Sequence, residues 1–373
     1  MDPCYLDYNA TTPMHAKLAK QLASFVADNC GGNPSSLHSH GRQARKIVEE
    51  ARDKLAFFLG VDSSEVFFTS GGTESNNLVI QGLTPLDSPL HVGSTEHPSI
   101  LEPTRNQWKR GRPGTTLAVD GEGRIDHLDS VDGGLVSVQW VNNETGITQD
   151  LPRLAQQIHE QGGILHTDGA QGFFRFASVI PDLGVDAASL TAHKSFGPTG
   201  IGALWLRKGL LIDPLLRGGP QEKKVRPGTE NLIAIHGIGL LSEIALQQPL
   251  WSLEGLRQAR QGLMSALEEI PDCQVIEQRP CDWPGCVNVS FLQIHAETLL
   301  VRLDMIGISA SSGSACSSGA RELSHVLAAM DVGLDRIRGS IRISIGPDHS
   351  PQKMQAVGQR IASVVADLRQ PNP

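Results

Sequence analysis

With 373 residues the chain is long enough for a large core and a smaller appended domain. Hydrophobic residues make up 39% and charged residues 19%, and a formal net charge of -8 argues against a nucleic-acid surface. Apolar runs such as 202–206 and 210–212 fall far short of the roughly 18 residues that a membrane span requires. The acidic start, Met1 to Asp7, lacks the basic-then-apolar order of a signal peptide. Six cysteines without a Cys-x-x-Cys pair read as free thiols of a reducing cytoplasm.

Pro13 opens a helical stretch with Leu18, Leu22, Phe25 and Val26 at helical spacing. Ala44, Ile47, Val48, Ala51, Leu55 and Phe58 form a second amphipathic stripe that Gly60 is placed to end. Short apolar strands then alternate with helical segments. Strands are predicted at 66–69, 91–94, 116–119, 135–141, 163–167, 187–190 and 202–206, with a helix over 152–160. This order predicts an α/β domain built on a mainly parallel sheet, whose ligands sit beyond the carboxyl ends of the strands. A helix-rich stretch over 240–270 leads, near residue 255, to a second domain with strands at 287–291 and 341–345.

Four constellations carry chemistry. After strand 66–69 comes Ser70-Gly71-Gly72-Thr73-Glu74, where two glycines and a helix N-terminus offer backbone N–H groups to a phosphate. Alone, the segment reads more readily as a helix cap by Ser70 or Thr73. Asp168 follows strand 163–167, well placed to face a ligand, although alone it reads more readily as a helix cap. Lys194 follows strand 187–190 and is enclosed by Gly and Pro turns. Desolvation of such an ammonium favours the neutral, nucleophilic amine, whereas a solvated loop lysine is the commoner case. Cys316 lies in Ser311-Ser312-Gly313-Ser314-Ala315-Cys316-Ser317-Ser318-Gly319, without a large apolar neighbour to bury it. An accessible thiol there suits a nucleophile that must move, against the alternative of an incidental cysteine. No second Cys or His stands at metal-ligand spacing from it, so no metal site is expected.

Taken together, these segments resemble the cysteine desulfurases of the NifS/IscS kind, in the class V aminotransferase group of pyridoxal-phosphate (PLP) enzymes. The likeness runs from Tyr5-Leu6-Asp7-Tyr8-Asn9-Ala10-Thr11-Thr12-Pro13 to Ile341-Arg342-Ile343-Ser344-Ile345-Gly346. Between them lie Gly32-Asn33-Pro34-Ser35-Ser36, residues 69–77, Glu96-His97, Val141-Asn142-Asn143-Glu144-Thr145-Gly146, His166-Thr167-Asp168, His193-Lys194 and Arg226-Pro227-Gly228-Thr229-Glu230-Asn231. The resemblance implies the fold type I of PLP-dependent transferases, with a seven-stranded, mainly parallel sheet in the large domain and a smaller α+β domain. Residues 13–255 would form the large PLP-binding domain, including the dimer surface. Residues 1–12 and 256–373 would form the small domain that carries the cysteine loop.

The resemblance also implies roles. Lys194 is similar to the Schiff-base lysine, and Asp168 to the carboxylate that keeps the pyridine nitrogen protonated. His97 is similar to the imidazole stacked on the ring and used for proton transfer. Asn143 and Gln171 match residues beside the ring and its O3′, while Gly72, Thr73, Thr191 and His193 match phosphate-binding positions. Thr229 resembles a phosphate contact given to the other subunit of a homodimer. Arg342 resembles the guanidinium that clamps the substrate carboxylate, a bidentate task suited to Arg. Cys316 resembles the nucleophile that takes sulfur from L-cysteine, becomes a persulfide and releases alanine. Its Ser/Gly setting resembles the subgroup with a longer, mobile catalytic loop.

Several positions depart from the family pattern: Thr191 for a commoner serine, Gly169 for alanine, Phe173-Phe174-Arg175 after Gly172 for a Gly-Lys ending, Thr199 for lysine, and Pro220 within a glycine run. None removes a catalytic group. Selenocysteine lyase and a class V aminotransferase or β-lyase are the neighbouring activities, and a cofactor-free sulfur-relay scaffold is the non-enzymatic alternative. Cys316 argues for the desulfurase, and Lys194, Asp168 and Arg342 together argue against the scaffold. The expected sulfur acceptor is an iron–sulfur scaffold or a tRNA or DNA thiolation protein, with no direct contact to nucleic acid or membrane.

Overall fold

The structure, a computed structural model, describes residues 3–29, 31–128, 131–177, 179–313 and 323–370. Twelve strands are described: β1 (Cys4–Tyr5), β2 (Val66–Thr69), β3 (Leu90–Gly93), β4 (Thr116–Leu117), β5 (Gly134–Ser137), β6 (Gly163–Asp168), β7 (Ala187–Thr191), β8 (Gly202–Leu206), β9 (Cys273–Val275), β10 (Cys286–Phe291), β11 (Ile308–Ser309) and β12 (Ser340–Ser344). Seven of them form one sheet in the order β2-β8-β7-β6-β5-β3-β4. Neighbours from β7 to β4 pair in parallel, and β8 runs antiparallel to both β2 and β7. This is the mainly parallel α/β sheet that the alternating pattern predicts. Because β2 and β7 both oppose β8, β2 points the same way as the parallel strands.

Burial explains the strand compositions. Every residue of β2, β3, β7 and β8 is buried, so these strands read as continuous apolar runs covered on both faces. Edge strand β2 is protected by a buried ion pair. Glu222 accepts from Arg52 Nη1 and Nη2 at 2.7 and 2.8 Å and from the Phe68 backbone N–H at 2.8 Å.

The remaining strands form an antiparallel sheet, β12-β10-β9, and the parallel pair β1-β11. The pair joins the start of the chain to its last third, and Asp7 continues the contact through a bridge to Ser344. Strands β1, β9 and β11, of two or three residues each, carry too little periodicity to be predicted, whereas β4, predicted over 116–119, is found over Thr116–Leu117 alone. No helix among the described residues is long and apolar enough to cross a membrane.

Two predicted boundaries shift furthest. The first helix spans Ala16–Asn29 instead of opening at Pro13. Thr12 and His15 donate their backbone N–H groups to His193 and Phe196 carbonyls, both at 2.9 Å, which ties this segment to the Lys194 turn. Strand β5 ends at Ser137, short of the predicted Val141. Val138 and Trp140 still donate to the carbonyls of His166 and Asp168, before the chain folds back through a Val141–Thr148 bridge.

Candidate active site

The carboxyl ends of β2, β3, β6 and β7 lie at one end of the sheet, where ligands of open α/β folds bind. Beyond β2 the helix Gly72–Gly82 begins without a side-chain cap, so neither Ser70 nor Thr73 caps it. Its first N–H groups and dipole therefore remain available to an anion. Close packing fixes this corner: a Cβ on Gly202 of β8 would lie 2.7 Å from Gly71 Cα and 2.5 Å from the Leu190 carbonyl. At Gly72 the reverse holds. A Cβ there would meet only Ala170 and Thr191 Cβ, each at 3.9 Å, so the space between the helix start and the ends of β6 and β7 is open.

Asp168, at the end of β6, is buried. Its Oδ1 accepts from Ala170 N–H at 3.0 Å and its Oδ2 from Asn76 Nδ2 at 2.8 Å. The second hydrogen of the same Asn76 amide goes to Ser99 Oγ, also at 2.8 Å. Ser99 in turn meets His97 Nδ1 through its hydroxyl at 2.8 Å and its backbone N–H at 3.1 Å. A backbone N–H can only donate, so the network assigns the neutral His97 proton to Nε2. Burial, with the Lys194 charge second, pushes the His97 pKa down to about 4. Glu96, fully enclosed beside this network, is held well above the ordinary carboxylate range by burial and then by Asp168.

Lys194 sits in a short 3-10 turn, His193–Ser195, immediately after β7 and Ala192. The turn is braced from two sides. Thr12 binds the His193 carbonyl through both N–H and Oγ1, and Arg175 Nη2 donates to the Lys194 carbonyl at 3.2 Å. Arg175 also reaches Asn9 Oδ1 at 2.9 Å and lies beside both Trp251 and Trp283, 5.1 and 4.9 Å from their ring centres, while the two indoles meet each other edge to face. Burial lowers the His193 pKa to about 4, with the Lys194 charge as the second cause. Gln171 Nε2 donates to the Asn9 carbonyl at 2.9 Å, which leaves its buried Oε1 without a partner among the described residues.

The small antiparallel sheet brings Arg342 to this region. Asn288 of β10, opposite Arg342 in the ladder, donates to the Glu144 carbonyl at 3.3 Å. Arg342 Nη1 reaches the Asn143 carbonyl at 3.3 Å, and Nη2 reaches Asp7 Oδ1 at 2.7 Å. Glu144, in the same turn as Asn143, accepts from Ser324 Oγ at 2.5 Å, and burial raises its pKa. Thr229 is exposed, in the loop before the helix Leu232–Gln247. Cys316 lies outside the described residues.

Asp168 and His97, 71 residues apart, thus share one network, and Asn143 and Arg342 share another. The sequence assigns no role to the linking residues Asn76, Ser99 and Asp7, and it marks Arg175 only as a departure from the family pattern. Asn76 reads there as one of two asparagines in a helix, and only the register of β6 against that helix shows which of them meets Asp168.

The donor set fits a phosphorylated pyridine aldehyde: an uncapped helix start for the dianion, a doubly bonded carboxylate for the ring nitrogen, and a lysine beyond β7. A sheet of this order with such a set at its carboxyl end is compatible with a class-V aminotransferase, and the Aminotransferase class-V family model matches residues 4–357. Enzymes of this class depend on PLP. The chain is 37% identical to a cysteine desulfurase IscS of Dictyoglomus turgidum, over 99% of this chain and 96% of that protein. A solved NifS-like protein superposes with a TM-score of 0.89 at 30% identity, covering 98% of this chain and all of the other. The NifS-like protein of Rickettsia africae gives 0.86 at 30% identity, with 98% and 99% covered. The chain belongs to the cysteine desulfurase family.

Proposed function

We propose that the chain removes sulfur from L-cysteine, giving L-alanine and a persulfide on Cys316 that passes to an acceptor protein. The observation that carries this reading is the buried Asp168 carboxylate, held by two N–H donors at the end of β6 with Lys194 beyond the neighbouring strand. In this reading Lys194 holds PLP. The phosphate rests on the N-terminus at Gly72 and Thr73, with Thr191 and His193 beside it, and Thr229 is given to the partner of a homodimer. Asn143 and Gln171 flank the ring, His97 stacks on it, and Arg342 takes the substrate carboxylate.

When bound, PLP withdraws electrons from the substrate Cα and so activates its Cβ–S bond. Asp168 holds a proton on the ring nitrogen. The Lys194 amine, when free, would take the Cα proton. His97, its Nδ1 engaged by Ser99, presents Nε2–H to its surroundings and manages protons as a donor. The Cys316 thiolate attacks the substrate sulfur. An S–S bond forms as the Cβ–S bond breaks, and the released electron pair stays with Cβ, which is protonated to the methyl group of alanine. No outside oxidant is required.

We place the enzyme in the cytoplasm. Support comes from Cys4, Cys273, Cys281 and Cys286, all free thiols. Residues 13–255 form the large domain and residues 1–12 with 256–373 the small one in this proposal. An iron–sulfur scaffold or a tRNA or DNA thiolation protein fits as acceptor. Borohydride reduction of the PLP-loaded protein followed by peptide mapping tests the cofactor assignment. The label is expected on Lys194, and a label elsewhere, or a protein that takes up no PLP, would overturn it.

A further inference from the structure

The guanidinium assigned to the substrate carboxylate already holds a carboxylate of this chain. Arg342 is only 3% exposed, and Asp7 Oδ1 lies 2.7 Å from its Nη2. The guanidinium also donates from Nη1 to the Asn143 carbonyl at 3.3 Å, and Nε has no partner among the described residues. Asp7 therefore engages the fork through one oxygen, and the Nε–H hydrogen, half of the edge that binds a carboxylate in bidentate fashion, stays uncommitted.

The placement of Asp7 is built into the fold. The segment after β1 runs beside β12, where Ser344 donates its N–H to the Leu6 carbonyl at 2.7 Å and Asp7 bridges to Ser344. The two partners differ in access to water. The Asp7 side chain is 22% exposed and that of Arg342 is 4%. A carboxylate at the edge of solvent can turn outward and be rehydrated, whereas a buried guanidinium left unpaired would bear the full desolvation cost.

From this asymmetry we infer that Asp7 is the resting counter-ion of Arg342 and sets carboxylate affinity: an arriving substrate carboxylate exchanges with Asp7. The inference rests on the reading of Arg342 as the carboxylate clamp. Affinity for the substrate carboxylate is then a difference between two carboxylates on one guanidinium. The exchange lets the site release alanine, whose carboxylate is the same as that of cysteine, because Asp7 stands ready to return.

The test compares L-cysteine with L-cysteine methyl ester, which lacks the negative charge, on the PLP-loaded enzyme. Asp7→Asn removes the competing charge, so KM for L-cysteine is expected to fall roughly 3- to 10-fold. KM for the ester changes less, so the ester-to-acid ratio rises, and Asp7→Glu restores the wild-type ratio. Inhibition by L-alanine strengthens in parallel. A rise in KM for L-cysteine in Asp7→Asn, or an unchanged ratio, would overturn the proposal and make Asp7 a brace. Arg342→Gln separates the two levels. If it leaves the ester-to-acid ratio at the wild-type value, the clamp reading itself fails, whatever Asp7→Asn does. If it collapses the ratio while Asp7→Asn does not raise it, only the counter-ion proposal fails.

Discussion

Asn76 Nδ2 lies 2.8 Å from Asp168 Oδ2, and the other hydrogen of that amide is committed to Ser99, which holds His97. One amide thus orients both the carboxylate proposed for the ring nitrogen and, through a hydroxyl, the imidazole proposed to lie on the ring. Replacement by leucine removes a charge-assisted hydrogen bond from a buried carboxylate, a loss on the order of 2 kcal/mol. Asn76→Leu is expected to weaken PLP binding roughly 10-fold or more, measured by equilibrium dialysis. Asn76→Asp sets a second carboxylate against Asp168 and is expected to weaken it further. Wild-type affinity in both variants would mean that Asp168 is held without Asn76.

Gly72 is the position where added volume separates folding from binding. A Cβ there meets nothing closer than 3.9 Å, so Gly72→Val is expected to fold with near wild-type circular dichroism. Its branched side chain enters the open space between Ala170 and Thr191. PLP uptake, followed by the visible absorbance of the reconstituted protein, is expected to fall steeply, with inorganic phosphate no longer competing. Full uptake would place the phosphate elsewhere.

Stability should depend on pH through His166. This imidazole is fully buried between Ser137 Oγ at 2.9 Å and Ser189 Oγ at 3.0 Å, and burial pushes its pKa down to about 4. Unfolded, it returns to the ordinary value of about 6.5. Between these values the unfolded chain binds more protons than the folded one, so stability rises with pH across the window. It is lost as pH falls from about 6.5 toward 4, by up to about 1.4 kcal/mol per pH unit for this group. Urea unfolding of the cofactor-free protein at a series of pH values should show that slope, and His166→Gln should flatten it in part, since His97 and His193 shift in the same direction.

Arg175 carries a buried charge that meets two carbonyls, an asparagine oxygen and two indole rings. Arg175→Ala removes the cation packed against the Trp251–Trp283 pair and frees the Lys194 turn on one side. A loss of about 3 kcal/mol is expected by chemical denaturation. A loss below 1 kcal/mol would show that the indole pair packs as well without it.

The longer strands could be read from the sequence because β2, β3, β7 and β8 are buried on both faces, which leaves runs of apolar residues between Gly and Pro turns. The pairs that assemble the site could not. Asp7 and Arg342 are 335 residues apart, and the pairing depends on a two-residue strand, β1, joining another two-residue strand, β11. Such strands have no period to read. Arg175 stood out only as a departure from a familiar ending, since burial and the surrounding indoles become visible once residues 251 and 283 are folded over it.

The central claim, sulfur transfer from L-cysteine to Cys316, is tested most directly by mass spectrometry of the PLP-loaded enzyme after one exposure to L-cysteine. The account predicts one added sulfur atom on the peptide that contains Cys316, with L-alanine formed alongside it, and neither product in Cys316→Ala. Undiminished alanine formation by Cys316→Ala would contradict it.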